Sequence, residues 1–358
     1  MKPPNITDIA KALGISIGTV DRALHGRPDV SPTTRARVLK KAEHLGYKPN
    51  LAARSLKLNR RLRIGVYFPR EISSFFDPLR SGVRAAASAS AGVNVELVFR
   101  TFPRLDEGDV ELLAAEAGEK FDGILVTPGN PDRIGPTLSV LARRGVAIVC
   151  VASDAPRSER LACVTADAQA SGAIAAELFS RTLQKTGHLA TITGELTTLD
   201  HAEKLRGFAA NLAVFAPHLS LLPAIESREQ PKVAYRQAAA LLSRKPYPLG
   251  IYISTANSIP VLRALEEKNL LGEVQVIATD LFPELVPYIE SGKILATLYQ
   301  RPFAQGKTAL ELLLRYLLHG VLDDPITRLA PHIILRSNLS LFTGYLTDGD
   351  ETTGAGKQ

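Results

Sequence analysis

The fold of the N-terminal part of the chain is decided by residues 6–22, which read ITDIAKALGISIGTVDR. Thr7 is a typical N-cap for a helix over residues 8–13, and Gly14 suits its end because glycine adopts the left-handed conformation easily. Ser16 then predicts the start of a second short helix. Two helices joined by so short a turn predict a helix-turn-helix, a motif whose second helix enters the major groove of DNA.

A third helix follows in the sequence. Ser31 is placed to cap it, Pro32 occupies the first helical position, which proline favours, and Gly46 ends it. The apolar residues of the three helices predict one small shared core, formed by Ile9, Ala10, Leu13, Val20, Leu24, Val38, Leu39 and Leu45.

The positive charge of the chain is concentrated at this end. The 358 residues carry a formal net charge of +7. Residues 1–61 hold 13 Lys/Arg against 4 Asp/Glu and so carry +9, which leaves −2 for the remainder. A basic segment attached to an electrically ordinary body is typical of a nucleic-acid-binding domain.

From Leu62 onward the pattern changes to alternating strands and amphipathic helices. This alternation predicts an α/β fold with mainly parallel sheets covered on both faces. About ten strands exceed one ordinary sheet, so we expect two subdomains with a ligand cleft at the carboxyl ends of their strands. The candidate strands are 63–68, 93–99, 123–127, 147–151, 162–165, 189–193, 250–254, 274–279, 295–299 and 333–335, and the main candidate helices are 79–90, 105–119, 168–185 and 303–318.

Several classes of protein are not expected from this composition. No stretch reaches the roughly 18 apolar residues of a membrane span, and the N-terminus lacks the apolar run of a secretory signal, so we expect a cytoplasmic, nucleoid-associated protein with no membrane partner. Cys150 and Cys163 are the only cysteines, too few for a disulfide framework or a four-cysteine zinc site, and we expect buried thiols.

The motifs of common enzymes are also missing from the sequence. It contains no Gly-x-Gly-x-x-Gly after a strand, no phosphate-binding Gly-x-x-x-x-Gly-Lys-Ser/Thr and no His-Glu-x-x-His, and its seven histidines do not cluster. We therefore expect that the protein is not an enzyme and that it has no catalytic residues, no cofactor and no bound metal.

Four segments of the sequence together resemble the lactose-repressor/galactose-repressor family of bacterial transcription regulators. They are Ile6-Thr-Asp-Ile-Ala-x-x-Leu-Gly-Ile-Ser-x-x-Thr-Val-x-Arg22, Val30-Ser-x-x-Thr-Arg35, Leu45-Gly-Tyr-x-Pro-Asn50 and Ala53-Arg-Ser-Leu56. The resemblance implies a three-helix DNA-binding headpiece over residues 1–48, a hinge helix or linker over residues 49–61, and a ligand-binding and dimerisation domain over residues 62–346. This last domain looks like a type I periplasmic binding protein fold, and residues 347–358 form a polar tail that we expect to be disordered.

The same resemblance implies which residues contact DNA. Ile17 and Gly18 open the recognition helix, and Arg22 lies one turn further on, where it could read guanine. The implied phosphate contacts, which for Thr7 and Ser16 could equally be helix caps, are Thr7, Ser16, Thr19 and Asn50. Gly18 has no side chain, and Asp21 replaces a frequent serine, so the operator sequence stays open.

A hinge helix over residues 51–58 would lie next to the minor groove in this family. Leu56 corresponds to the leucine that wedges between base steps, and Ala53 and Lys57 belong to the same DNA-binding segment. A helix of this length is only marginally stable in isolation. We therefore expect it to form only when DNA and a dimer partner are present.

The implied effector-binding residues lie at strand ends of the larger domain, namely Phe75, Phe76, Asp154, Lys204, Asn257, Asp280 and Gln300. One of the two phenylalanines would stack on a sugar ring, and the polar groups would hold its hydroxyls. Ala155 lacks a basic group that ribose binders have, and Lys204 stands where they have an arginine. A polyol, a sugar acid or a phosphorylated sugar therefore stays possible.

These features predict a ligand-responsive transcriptional regulator, a homodimer that binds a pseudo-palindromic operator and represses a sugar or polyol catabolic operon. The alternatives are a corepressor-dependent regulator of a biosynthetic pathway and a periplasmic sugar-binding transport receptor. The receptor would need a signal peptide and would not carry the basic headpiece.

Overall fold

Three short helices form the N-terminal unit of the computed structural model, which describes residues 6–24, 29–45, 61–90 and 92–344. They are α1 (Ile6–Leu13), α2 (Ile17–Leu24) and α3 (Pro32–His44). The backbone N–H of Thr19 donates to Ser16 Oγ at 3.0 Å, and that of Thr34 donates to Ser31 Oγ at 3.2 Å, which confirms the two predicted caps. Gly14 has the left-handed φ of 65° expected at the end of α1. Gly46 lies outside the described residues.

Two details of this unit differ from the sequence prediction. Helix α1 begins at Ile6, so Thr7 lies in its first turn and is not its N-cap. Leu39 is 49% exposed and is not part of the core, because the face of α3 that meets the other helices carries Val38 and, one turn later, Ala42.

The larger unit alternates strands and helices along the chain. Its strands are β1 (Leu62–Pro69), β2 (Val95–Phe102), β3 (Gly123–Val126), β4 (Ala147–Val151), β5 (Ala162–Ala166), β6 (Gly187–Thr193), β7 (Leu219–Leu221), β8 (Ile225–Glu226), β9 (Gly250–Ile253), β10 (Gln275–Thr279), β11 (Ala296–Tyr299), β12 (Ile326–Leu329) and β13 (His332–Ile334). Its helices are α4 (Ser73–Ala89), α5 (Asp109–Ala115), α6 (Pro131–Arg143), α7 (Ala168–Thr182), α8 (Leu199–Phe215), α9 (Pro231–Leu241), α10 (Ser258–Glu267), α11 (Val286–Glu290) and α12 (Pro302–His319).

These strands build two sheets, which confirms the predicted α/β class with two subdomains. The first sheet is parallel throughout, in the order β12-β5-β4-β3-β1-β2. The second has the order β13-β11-β10-β9-β6-β7, with β8 also paired to β6, and among its pairs only β13 with β11 is antiparallel. The chain passes between the subdomains three times, after β5, after β11 and after β12. Almost every inward side chain is apolar, as expected for sheets covered on both faces.

The sequence prediction missed β7, β8 and β12, and of these β7 and β8 are only three and two residues long. In β12, Arg328 is exposed on the edge of the first sheet, so the segment lacks the apolar run by which the central strands were found. The helix predicted over residues 105–119 is shortened to α5, since Gly108 before it has a φ of 85° that ends the preceding turn.

Close backbone contacts fix the two helices that follow crossings between the subdomains, α7 and α12, against their neighbours. A Cβ on Gly82 of α4 would lie 2.0 Å from the carbonyl oxygen of Phe303 in α12, and a Cβ on Gly306 would lie 2.0 Å from that of Leu79. In the second subdomain, Gly207 of α8 packs against α7 in the same way. Glycine at these positions lets the helix backbones touch, and this sets the position of α8, which carries part of the cleft.

None of the helices within the described ranges combines the length and the apolar character needed to cross a bilayer.

Candidate ligand cleft and DNA-binding face

The recognition helix α2 presents a small exposed face. Ile17 is 52% exposed, and Gly18 beside it leaves the backbone open. A Cβ on Gly18 would lie 3.4 Å from Nη1 of Arg22, so the guanidinium extends over the glycine. Nε of Arg22 also lies 3.1 Å from Oδ2 of Asp29. The structure thus brings Ile17, Gly18 and Arg22 together on one helix face.

The remaining predicted DNA contacts are placed as follows. The hydroxyls of Ser16 and Thr19 are 2.8 Å apart at the start of α2, and Thr7 is exposed in the first turn of α1. Asn50, Ala53, Leu56 and Lys57 lie outside the described residues, so their roles stay predictions.

A cleft lies between the two sheets at the carboxyl ends of their strands. The space between its lining residues is about 450 Å³, part of which is open to solvent. Five of the seven predicted ligand residues line it, namely Phe75, Phe76, Lys204, Asp280 and Gln300. Each follows directly on a strand or lies in the first turns of the next helix, so the parallel topology brings them to one edge.

The first subdomain contributes an aromatic wall. The rings of Phe75 and Phe76 are 5.0 Å apart in an edge-to-face arrangement at the start of α4, and both are buried. Ile72 precedes them with a left-handed φ of 59°, a conformation that is costly for a β-branched residue. An apolar face of this kind suits the C–H face of a ring.

Helix α8 supplies a buried lysine to the opposite wall. Nζ of Lys204 lies 2.6 Å from Oδ2 of Asp200 one turn earlier, and the lysine side chain is 2% exposed. The other carboxylate oxygen of Asp200, Oδ1, is buried and has no hydrogen-bond partner within the described chain. The lysine charge is thus balanced, while one oxygen in the cleft wall is left to accept a hydrogen bond.

His201 and Glu229 form a second buried charge pair, with 3.0 Å between Nε2 and Oε1. Burial disfavours the charged form of His201, but the hydrogen bond and negative charge of Glu229 outweigh it and raise the pKa of the imidazole. Burial likewise opposes ionisation of Glu229, but the same partner lowers the pKa of the carboxyl. Each partner therefore favours the charged form of the other, imidazolium for His201 and carboxylate for Glu229.

Asn257 lies behind this pair and does not line the cleft. Its Nδ2 donates to Oε2 of Glu229 at 3.1 Å, and the hydroxyl of Thr255 donates to the same oxygen at 2.7 Å. Asn257 therefore supports the cleft by fixing Glu229.

Asp280 directly follows β10 and is paired with Gln300. Nε2 of Gln300 donates to Oδ2 of Asp280 at 2.8 Å, and the backbone N–H of Gln300 donates to Oδ1 at 3.2 Å. Burial raises the pKa of Asp280 to about 6, although the nearby Lys204 and the Gln300 hydrogen bonds favour its ionised form. Its φ of 67° turns the carboxyl into the cleft.

The structure places Asp154 outside this cleft. Its carboxylate forms a bidentate pair with Arg160, in which Nη2 donates to Oδ2 at 2.6 Å and Nε donates to Oδ1. Ala152, with a φ of 66°, turns the chain directly after β4, so Ala152 and Ser153 occupy the wall of the cleft. The prediction places Asp154 in the cleft because it lies close to the end of a strand. The turn at Ala152 instead brings Ala152 and Ser153 to the cleft wall.

Unpartnered hydroxyls are a further property of the cleft. The Oγ atoms of Ser153 and Ser254 and the Oγ1 atoms of Thr127 and Thr198 are buried and line it, and no described residue hydrogen-bonds to them. Buried hydroxyls normally have a partner. These groups, together with Asp200 Oδ1, are therefore available to hydrogen-bond a molecule bound in the cleft.

Sequence reasoning missed several of these residues. His201 precedes Lys204 by almost one helical turn, so helical periodicity could have placed both on one face of α8. The Ser and Thr residues directly after β3 and β9 could have been found by their strand-end position. Glu229 follows no strand or helix pattern and gave no signal.

Both the N-terminal unit and the larger unit of the chain match models of known protein families. Residues 5–50 match the model of the bacterial regulatory proteins of the lacI family, and residues 64–320 match a periplasmic binding protein domain. Catabolite control protein A of Priestia megaterium is 25% identical over 338 residues, covering 92% of this chain and 97% of that protein. The HTH-type transcriptional repressor PurR of Aliivibrio fischeri is 26% identical over 351 residues, covering 93% and 98%.

Solved structures agree with the fold of the larger unit. GanP, a glucose-galactose binding protein from Geobacillus stearothermophilus, superposes with a TM-score of 0.72 at 23% identity, over 78% of this chain and 99% of that one. A solute-binding protein from Bacillus halodurans with bound myo-inositol gives 0.70 at 16% identity, over 79% and 98%. The matched headpiece, the matched larger domain and the full-length relatives agree, and the chain therefore belongs to the lacI family of ligand-responsive, DNA-binding transcriptional regulators.

Proposed function

We propose that the chain is a homodimeric repressor whose cleft binds a neutral sugar or polyol and which controls an operon for the catabolism of that ligand. It acts in the cytoplasm on nucleoid DNA, with residues 1–48 as headpiece, 49–61 as hinge and 62–346 as effector-binding and dimerisation domain. Each headpiece reads one half of a pseudo-palindromic operator through Ile17 and Arg22. Leu56 of each hinge helix wedges between base steps at the centre of the operator.

The observation that carries this proposal is the set of buried hydroxyls in the cleft that lack protein partners. A sugar or polyol supplies hydroxyl groups that can donate to and accept from them. The phenylalanine wall provides the apolar surface on which a sugar ring can stack. The binding of glucose-galactose and of myo-inositol by proteins of the same fold supports this class of ligand.

The charge balance of the cleft favours a neutral ligand. Lys204 is paired with Asp200, and His201 is paired with Glu229, so both cations lining the cleft are already compensated. Asp280 adds a carboxylate that is largely ionised at neutral pH. A sugar acid or sugar phosphate would therefore meet excess negative charge, and desolvating it would not be repaid by an unpaired cation.

A thermal-shift screen of the full-length protein tests the proposal. The panel contains neutral sugars, polyols, sugar acids, sugar phosphates and purines, each near 5 mM. A ligand present at about 100 times its dissociation constant stabilises the folded state by about 2.7 kcal/mol, which raises the melting temperature measurably. We expect hits among the neutral sugars or polyols, and none in a Phe75→Ala/Phe76→Ala variant whose unliganded fold is verified by circular dichroism.

Operator binding with and without the hit then gives the direction of the response. We expect the ligand to weaken specific binding, as a catabolic repressor requires. A purine hit that strengthens operator binding would instead favour the corepressor alternative, and hits confined to sugar acids or phosphates would contradict the charge argument.

A further inference from the structure

A second, larger cavity adjoins the cleft. The space between its lining residues, including the part open to solvent, is about 1150 Å³, against about 450 Å³ for the cleft. It lies between β5 and β12 at the edge of the first sheet and the first turns of α7 and α8, where the chain crosses between subdomains at Asp167. We call it the hinge groove.

The cleft and the hinge groove share two residues, one from each subdomain. Ser153 follows β4, and Asp200 lies in the first turn of α8. Ser153 is 2% exposed, and its Oγ has no hydrogen-bond partner among the described residues. Asp200 binds Lys204 with Oδ2 and leaves Oδ1 unpartnered. The junction therefore carries two buried oxygens, from opposite walls, that are not used by the protein.

The carboxylates of the hinge groove have partners, whereas Arg328 of β12, exposed at its edge, has no ion pair among the described residues. Asp154 is paired with Arg160, and Glu203 is paired with Arg206. Asp167 accepts a hydrogen bond from the backbone N–H of Ala170 at 2.9 Å as the N-cap of α7. Away from Arg328, an ion would thus gain little here, whereas a neutral polar group could use the carboxylate and amide oxygens as acceptors.

The rest of the wall is polar or aliphatic. Thr165 and Gln169 contribute polar groups, Ala168 and Ile326 contribute apolar surface, and the lining contains no aromatic ring. A group in the hinge groove would therefore be held by hydrogen bonds and aliphatic contact, in contrast to the phenylalanine wall of the cleft. Together, the two cavities differ in chemistry but meet at one polar junction.

We propose that the cleft and the hinge groove form a single two-compartment site for a neutral disaccharide or glycoside. One ring occupies the cleft beside Phe75 and Phe76, the second unit occupies the hinge groove, and the linkage between them passes Ser153 and Asp200. This inference rests on the proposed function, because it concerns the size of the same neutral polyhydroxylated ligand.

Isothermal titration of the full-length protein tests the inference with named probes. The single-unit probes are glucose, galactose, fructose and the polyol myo-inositol, and the two-unit probes are the disaccharides maltose, sucrose, trehalose, lactose and melibiose and the glycoside galactinol. We expect one disaccharide or glycoside to bind at least tenfold more tightly than either of its component units.

Two substitutions fill the hinge groove from opposite sides without touching the cleft. Ala168→Phe acts from α7 and Ile326→Phe from β12, so the failure of one variant to fold does not remove the test. Each is expected to weaken the disaccharide at least tenfold while the component monosaccharide changes less than twofold. Ala209→Phe, on the exposed face of α8, is the matched control and should leave both affinities unchanged.

The outcomes separate this inference from the proposed function. Monosaccharide binding as tight as that of every disaccharide, unaltered by either groove-filling variant, overturns the two-compartment site and leaves the proposed function standing. If none of the sugars or polyols binds, the proposed function fails and this inference fails with it.

Discussion

The imidazole Nε2 of His201 lies 3.0 Å from Oε1 of Glu229, and the two side chains meet over Gly194 at the end of β6. A Cβ on Gly194 would lie 2.0 Å from both the carboxylate and the imidazole, so only glycine leaves room for the pair. Glu229 also accepts hydrogen bonds from Thr255 and Asn257. One carboxylate thus connects α8, the segment before α9 and the end of β9 behind the cleft.

Breaking this pair is expected to destabilise the protein strongly. His201→Gln removes the positive partner and leaves the buried Glu229 carboxylate uncompensated, which costs about 3–5 kcal/mol in comparable cases. Urea denaturation gives the change in the free energy of unfolding. Adding Glu229→Gln to His201→Gln removes the buried charge and should recover part of the loss. A single variant within about 1 kcal/mol of wild type would contradict the ion-pair description.

The same pair predicts a pH dependence with a definite sign. The pKa of His201 is raised above its ordinary value of 6.5, so its contribution to stability is fully present below that value and is lost as pH rises through the raised pKa. The pKa of Glu229 is lowered below 4.5, so its contribution is present above 4.5 and is lost as pH falls through the lowered pKa. We therefore expect the difference in unfolding free energy between wild type and the double variant His201→Gln/Glu229→Gln, in which neither position titrates, to shrink as pH rises from 6 to 9. A difference that grows over this range would refute the assignment.

Asp280 predicts how ligand affinity depends on pH. Its pKa of about 6 means that the carboxylate that would accept a ligand hydroxyl is mostly protonated at pH 5. If binding requires the ionised form, affinity falls about tenfold between pH 7.5 and pH 5. Asp280→Asn is expected to bind more weakly and without this dependence, as titration calorimetry at both pH values would reveal. The effect on stability has the opposite sign. The contribution of this carboxyl to stability is fully present below its ordinary pKa of 3.8 and is lost as pH rises through about 6.

The contact between α7 and α8 predicts an unusual response to alanine. A Cβ on Gly207 would lie 2.2 Å from the carbonyl oxygen of Gln169, so Gly207→Ala must separate the two helices, although alanine is normally the better helix former. We expect the melting temperature to fall and sugar binding to weaken, because α8 carries Lys204. Gly118→Ala is the control, since no atom lies within 4 Å of its added Cβ. It should be neutral or stabilising by up to about 1 kcal/mol, and equal effects at the two sites would contradict this packing.

On the DNA side, Arg22 is expected to carry base specificity. Arg22→Ala should weaken operator binding by about 1–3 kcal/mol and relax the preference at one base pair, while binding to unrelated DNA changes less. Fluorescence anisotropy on an operator selected from random DNA measures both quantities. Asp29→Ala is the companion variant: it frees the guanidinium from an exposed ion pair worth at most about 1 kcal/mol and should leave base preference intact. Equal losses of Arg22→Ala on all DNA sequences would make Arg22 a phosphate contact.

Much of the fold could be predicted from the sequence because its determinants are local. Ser16 and Ser31 cap helices within their own turn, and Gly14 ends one by its left-handed backbone, so the helix-turn-helix follows from neighbouring residues. The alternation of strands and helices along the sequence predicts an α/β fold with mainly parallel sheets. That fold in turn places strand ends together, which agrees with the assignment of Phe75 and Asp280 to one cleft that the family resemblance implied.

Only the tertiary structure decided which polar groups the cleft presents. A positive φ at Ala152 turns Asp154 toward Arg160 and brings Ser153 to the wall instead. Glu229 reaches His201 from a segment with no periodic pattern, across the narrow space left by Gly194. Sequence periodicity records which face of an element is apolar, whereas a buried charge pair depends on distances between elements far apart in the chain. Those distances are set by the packing of the two subdomains.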